Sequence, residues 1–411
     1  MSTNHITVYS PIITNRITYL LDTLLVEFSG LTYRLTNSNI DYNSIDTPKF
    51  RLEFDSENEV FSFPLDKILV EETINEYLIY DDLNAFGKIF FWLSRYEEYW
   101  NRPEFYDNHN RFLGSDLDYS KPVVDYLVID FQNQLKAWFP QLQFKERVFK
   151  QINTHDVDFA WKYQHHPKGN VFSKALKNLL KGKFVESSKI LKIHFNKIKD
   201  PYDQYTYLKE LAQKNQVETK FFWLLGDDSE YDKNLTWKNP FQQQLINDVK
   251  QWAEVGIHPS YCSNFDGNQL SVEINRLTEI QKVKPKISRQ HFIKLNFPHT
   301  YQQLLKNGIE TDYTMGFAHQ LGFRAGTSFP YKWFDLSTNQ QTLLITYPFV
   351  AMDVTLKNYL KLTPEQAIEE LRVIKEEIKK VNGNFITIFH QSNLEEEWKD
   401  WKKVYESIFY D

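Results

Sequence analysis

From residue 148 onward the chain alternates short apolar runs with longer amphipathic ones, and this alternation limits the possible folds more than any other feature. The short runs lie at 148–154, 220–225, 255–258, 286–291, 322–325, 343–347 and 385–389. The intervals between them carry helical periodicity, clearest over 241–254, 270–283, 300–307 and 364–381. Seven such strand–helix units predict an α/β fold: a parallel sheet wound by right-handed crossovers and closed into a (β/α) barrel. Residues 1–147 have a different rhythm. Strand-like alternation at 50–54 and 60–63, helices over 84–99 and 123–139, and a turn-rich stretch over 101–121 predict a smaller α+β domain. Pro140 ends the second helix, and 141–150 reads as the join. At 411 residues the chain exceeds one small core, so two domains, 1–147 and 148–411, are expected.

In a barrel of this kind, chemistry gathers at the carboxyl ends of strands. Asp156, Asp158, His258, Arg289, His291, Arg324, Asp353 and His390 all fall at or just after a predicted strand end. Two carboxylates as near as Asp156 and Asp158 repel one another, and a divalent cation relieves that repulsion by binding one of them. An imidazole such as His258 suits zinc and other late first-row metals, which leaves the second carboxylate free as a base. Taken alone, the acidic pair could instead cap a following helix, and an isolated His is more often satisfied by backbone. Their shared placement at strand ends favours chemistry.

Asp156-x-Asp158, His258-Pro-Ser260, Arg289-Gln-His291, Gly322-Phe-Arg324-Ala-Gly326 and Ile388-Phe-His390 follow the order of the polysaccharide deacetylase motifs. The chain thus resembles the NodB-homology fold, a distorted (β/α) barrel of metal-dependent deacetylases, in a bacterial subgroup with an extra N-terminal domain. Tyr9 to Arg16 and Phe91 to Glu98 extend the likeness more loosely into that domain. The resemblance implies a zinc-dependent hydrolase that removes an acetyl group from an N-acetylated sugar or glycan. It implies Asp156 as general base, Asp158 and His258 as metal ligands, and Arg289 as the group orienting the base. His390 would be the general acid, and Asp353 would hold that histidine. Arg324 could orient the base, hold a substrate carboxylate or phosphate, or form a structural ion pair.

The family pattern has a second His four residues after the first, where this chain has Cys262. Cys262 could be a thiolate ligand, His291 could complete the site, or the site could be metal-free. Pro259 removes any helical spacing between 258 and 262, and strand alternation aims Arg289 and His291 to one face, so His291 is preferred. A buried, unreactive thiol is the ordinary fate of such a cysteine. Two other functions stay open: an inactive glycan-binding or scaffold barrel, and an amidohydrolase for a small non-sugar amide. An open groove lined by Trp and Tyr would point to a glycan, a closed cup to a small molecule.

The net charge of −6 gives no support for a nucleic-acid partner. Aromatics at 16% suit a sugar-handling protein, although AT-rich coding produces the same excess. One cysteine excludes an intrachain disulfide and any Cys-rich zinc module. Asn15, Arg16, Asp22 and Glu27 interrupt the first 28 residues, so neither leader nor anchor is expected and the cytoplasm is the expected location. A basic helical insertion is expected at about 164–200. From Lys168 to Lys199 there are nine lysines and one acid, Glu186. Phe172, Ala175, Leu176, Leu179 and Leu180 form a stripe with Lys174, Lys177 and Lys181 off it. Such a helix either packs its stripe on the barrel or lies on an anionic membrane.

Overall fold

The computed structural model describes residues 4–54 and 61–410. Two sheets organise it. The first is four-stranded and parallel, in the order β2-β1-β3-β4, from β1 (His5–Tyr9), β2 (Thr32–Thr36), β3 (Lys49–Glu53) and β4 (Ser62–Pro64). Val60, at the start of the strand expected over 60–63, lies outside the described residues. Around this sheet lie α1 (Asn15–Leu21), α2 (Asn39–Ser44), α3 (Ala85–Ser94) and α4 (Val123–Trp138). Asn84 caps α3 by accepting from the Phe86 and Gly87 amides. The helix expected over 84–99 breaks at Arg95, which takes a left-handed conformation and starts a 3-10 turn over Tyr96–Tyr99.

The second sheet has nine strands, in the order β12-β13-β5-β6-β7-β8-β9-β11-β10. They are β5 (Lys150–Val157), β6 (Glu218–Trp223), β7 (Glu254–Ile257), β8 (Ile287–Ser288), β9 (Thr311–Asp312), β10 (Tyr331–Asp335), β11 (Gln340–Thr346), β12 (Ala351–Met352) and β13 (Asn384–Ile388). Every pairing is parallel except the β10–β11 hairpin. The connections carry α5 (Lys168–Leu180), α6 (Phe184–His194), α7 (Tyr205–Asn215), α8 (Pro240–Val249), α9 (Gly267–Gln281), α10 (His299–Lys306) and α11 (Pro364–Lys380), and α12 (Lys402–Ser407) follows β13. Thr363, Pro364 and Gln366 build a capping box that starts α11 where the periodicity places it. The central strands are buried on both faces, and in β13 Phe385, Ile386 and Ile388 are buried together with the polar Asn384 and Thr387.

Two expectations are corrected. Among the described residues β10 and β12 each pair on one side only, so the ladder is open, not closed. The edge at β10 is occupied by the N-terminal region: Tyr19 donates its hydroxyl to the Lys332 carbonyl at 2.8 Å, and Tyr19 and Phe90 pack on Phe334. Residues 322–325 form a turn, not a strand. Gly322 (φ +125°) and Gly326 (φ +63°) are needed there, because a Cβ on the first would lie 2.4 Å from the Tyr119 carbonyl and on the second 2.8 Å from Trp92. One continuous apolar cluster runs from Ile6 through both sheets to Ile408, so the N-terminal region shares its core with the rest.

Candidate metal centre and acid–base site

Parallel strands deliver their side chains to one end of the nine-stranded sheet. Asp156 ends β5 with Val157, and Asp158 follows; His258 follows β7; Arg289 and His291 follow β8; Asp353 follows β12; His390 follows β13. The structure brings all seven together.

Asp158, His258 and His291 offer ligand atoms that lie within 4.8 Å of one another. His258 Nε2 is 3.4 Å and His291 Nε2 is 3.6 Å from Asp158 Oδ1. Two donors each about 2.05 Å from a tetrahedral zinc stand roughly 3.3 Å apart, so the spacing fits such an ion. Asp158 Oδ1 is buried with no hydrogen-bond partner, a state that direct coordination of a cation would satisfy. The outer nitrogens agree. His258 Nδ1 lies 2.6 Å from the Arg289 carbonyl, and His291 Nδ1 lies 2.8 Å from Asp232 Oδ1. Both partners are acceptors, which places a proton on Nδ1 and leaves Nε2 of each ring facing Asp158, the nitrogen that would bind a cation in place of a proton. The N/O donor set suits zinc and its first-row neighbours.

Beside this cluster stands a second carboxylate. Asp156 Oδ1 accepts from Arg289 Nη1 at 3.0 Å, and Oδ2 lies 3.8 Å from His258 Nε2. Arg289 is fixed in turn by the Tyr313 carbonyl at 3.0 Å and the Thr154 hydroxyl at 2.7 Å. On the opposite flank His390 Nδ1 meets Asp353 Oδ1 at 2.8 Å, while its Nε2 lies 3.6 Å from Asp158 Oδ2. Burial pushes the His390 imidazolium toward deprotonation, but the Asp353 carboxylate, helped by Asp158 and Asp156, outweighs it and lifts the pKa to about 10. His291 behaves likewise, raised to about 9 against burial by Asp158 and Asp232. Burial alone would raise the Asp158 pKa, but the surrounding imidazoles hold it well below the ordinary carboxylate range.

One of the eight strand-end residues, Arg324, and the nearby Cys262 behave differently from expectation. Arg324 does not line the pocket. It is buried in a fork with Glu98, Nε to Oε1 at 3.0 Å and Nη2 to Oε2 at 2.5 Å, and it also donates to the Gly316 carbonyl. The substrate-contact reading of Arg324 is therefore replaced by the structural ion pair. Cys262 begins a short 3-10 turn, is exposed and lies outside the donor cluster, so neither the buried thiol nor the thiolate ligand describes it.

Asp232, in the irregular loop after β6, has no spacing signal that could mark it in the sequence. Arg111 is the other unforeseen residue: it lines the pocket of about 170 Å³ over the cluster and reaches it from the N-terminal region. There it is held by Asp107 and donates to the Tyr359 hydroxyl at 2.9 Å. One residue from Asp158, Phe159 opens onto a larger cleft of about 690 Å³ lined also by Trp161, Tyr163, Tyr202 and Trp237.

Fold and site together define a mixed α/β protein with a candidate metal site and a histidine–aspartate dyad at the carboxyl end of a largely parallel sheet. Residues 6–140 match the model of a family of unknown function, DUF7033. No curated protein matches the chain. Among solved structures, a Mycobacterium smegmatis protein provisionally described as a polysaccharide deacetylase is similar at 14% identity, covering 64% of this chain and 85% of its own, with a TM-score of 0.41. The polysaccharide deacetylase Bc1974 of Bacillus cereus gives 11% identity, 64% and 86% coverage and a TM-score of 0.30. Agd3, described as a carbohydrate deacetylase, covers 98% of this chain and 83% of its own at 8% identity and a TM-score of 0.38.

Proposed function

We propose that the protein is a zinc-dependent hydrolase that removes the acetyl group from an N-acetylated sugar or glycan. The observation that carries this reading is the unpartnered, buried Asp158 Oδ1 faced by two imidazole Nε2 atoms, with a separately held carboxylate on one side and a carboxylate-paired imidazole on the other. The order of the deacetylase-like motifs along the chain agrees with it.

Asp158, His258 and His291 would hold the ion. A bound divalent ion supplies Lewis acidity toward the acyl oxygen and acidifies a water. Asp156, oriented by Arg289, takes a proton from the attacking water as the new C–O bond forms at the acyl carbon. His390, kept protonated by Asp353, gives its proton to the amide nitrogen as the C–N bond breaks. The products are acetate and a free amine.

The pocket over the cluster is small, about 170 Å³, and fits an acyl group better than a whole ligand. The cleft of about 690 Å³ that begins at Phe159, next to Asp158 in the chain, offers flat aromatic faces among Asn170, Asn234 and Asp228, which favours a glycan over a small amide. The inactive-scaffold reading rested on Cys262, and His291 now stands in the donor cluster instead. No helix among the described residues is long and apolar enough to cross a membrane. We propose a cytoplasmic location, a reading with which the chain's single cysteine agrees.

The test is acetate release from N-acetylated chitooligosaccharides by protein stripped of metal and reloaded with zinc. Asp156→Asn should lower the rate by roughly 100-fold or more while zinc stoichiometry stays at the wild-type value. A zinc-loaded wild type that releases no acetate from these oligosaccharides sinks the function. Zinc loss in Asp156→Asn as deep as in Asp158→Asn sinks the division of roles.

A further inference from the structure

The insertion after β5 folds as a hairpin of α5 and α6. Its inner face is complete: Val171, Ala175 and Ile190 are buried together, and Ser187 donates to the Ala175 carbonyl at 2.8 Å. The turn is closed by the Gly182 and Lys183 amides on the Leu179 and Asn178 carbonyls, both at 2.9 Å, with Gly182 left-handed. The outer face is apolar and uncovered. Leu180 is 79% exposed, Phe184 67% and Val185 80%, and Phe172, Leu176, Leu179, Phe195 and Ile198 are exposed as well. The stripe therefore does not pack on the sheet, which was one of the two expectations for it. Eight of the nine lysines from Lys168 to Lys199 are exposed around it; Lys189, the ninth, is engaged by Glu396.

We propose that the tip of this hairpin docks on an anionic lipid bilayer, with Leu180, Phe184 and Val185 entering the headgroup boundary and the lysines meeting acidic headgroups. Three alternatives fit less well. A second copy of the chain would bring one lysine rim against another. An acidic polymer would use the lysines but leave the apolar tip in water. A transmembrane role fails on length, since thirteen residues of α5 span about 20 Å and a bilayer core is about 30 Å thick. Apolar residues at a closed turn inside a cationic rim match an interfacial anchor. The proposal is independent of the hydrolase reading, because none of the tip residues lines the cleft or the metal pocket.

The experiment is co-sedimentation of the full-length protein with vesicles of phosphatidylcholine alone or mixed with phosphatidylserine, at low and high salt. Binding should require phosphatidylserine, fall by roughly tenfold in high salt, and fall by at least as much in a Leu180→Ser/Phe184→Ser/Val185→Ser variant. A Lys177→Gln/Lys181→Gln/Lys183→Gln variant should lose the salt dependence together with most of the binding. Circular dichroism and zinc content should be unchanged in both, since the substituted side chains face solvent. Equal binding to the two vesicle types, or no binding at low salt, overturns the proposal. So does a concentration-dependent dimer in sedimentation velocity that the triple-serine variant abolishes, which would assign the face to a second copy.

Discussion

At the scale of single residues, the site depends on what stands behind the imidazoles as much as on the imidazoles themselves. His291 reaches the cluster because its Nδ1 donates a hydrogen bond to Asp232, and Asp232 is fixed by the Tyr261 amide at 2.8 Å and the Ser229 hydroxyl at 2.9 Å. Outer partners of this kind typically change metal affinity by 10- to 100-fold. Asp232→Asn should therefore weaken zinc binding by about that factor in a competition titration, while Cys262→Ser leaves it at the wild-type value. Unchanged affinity in the first variant, or lost zinc in the second, would overturn the ligand assignment. The positions of Asp156, Asp158, His258 and His390 could be read from sequence because they end apolar runs, while Arg289 and Asp353 follow two-residue strands and were reached through the order of the motifs. Those of Asp232 and Arg111 could not, since each sits in an irregular segment whose path is set by tertiary contacts. The partner of Arg324 was equally hidden, because Glu98 lies 226 residues away.

At the scale of elements, periodicity located the long pieces well and the short ones poorly. The helix expected over 364–381 matches α11, and the strand expected over 385–389 is shifted by one residue. β9 and β12 have two residues each, too few to show any alternation, and the 322–325 segment is buried as a turn whose Gly322 lies against the Tyr119 carbonyl. The segment after that turn is tied to α4 through Asp125, which accepts from the Ser328 amide at 2.8 Å and from the Thr327 and Ser328 hydroxyls. Burial dominates those bonds and raises the Asp125 pKa to about 6 from 3.8. Between these values the native state keeps a proton that the unfolded chain gives up. The contribution is thus full below about pH 4 and is lost as pH rises through about 6, by on the order of 3 kcal/mol. Urea unfolding of the wild type and Asp125→Asn at pH 4 and pH 7 should show the variant gaining relative to the wild type by about that amount at the higher pH. A pH-independent difference would mean that Asp125 is ionised throughout.

At the scale of the whole molecule, buried residues on both sides of the boundary expected at 147 belong to one apolar cluster. Phe334 of β10 packs on Tyr19 and Phe90, Arg16 donates to Asn339 at 2.8 Å, and Arg324 lies buried against Glu98. Removing residues 1–147 would bare the β10 edge and take from Arg324 its Glu98 partner. A 148–411 fragment is therefore expected to lack a cooperative thermal transition in circular dichroism. A fragment that melts cooperatively and binds zinc like the full chain would show two separable bodies. The same continuity explains why a pocket wall over the candidate metal site, Arg111, is supplied from the opposite end of the sequence.

Cys262 stands outside the donor cluster yet only four residues from His258, in the turn that follows Tyr261, whose amide anchors Asp232. Because it is the chain's sole cysteine and its side chain is open to solvent, a thiol-reactive dye or spin label would attach at one defined point. The protein thus carries a built-in reporter position beside the candidate metal centre, where loading of the ion could be followed spectroscopically without engineering a second residue.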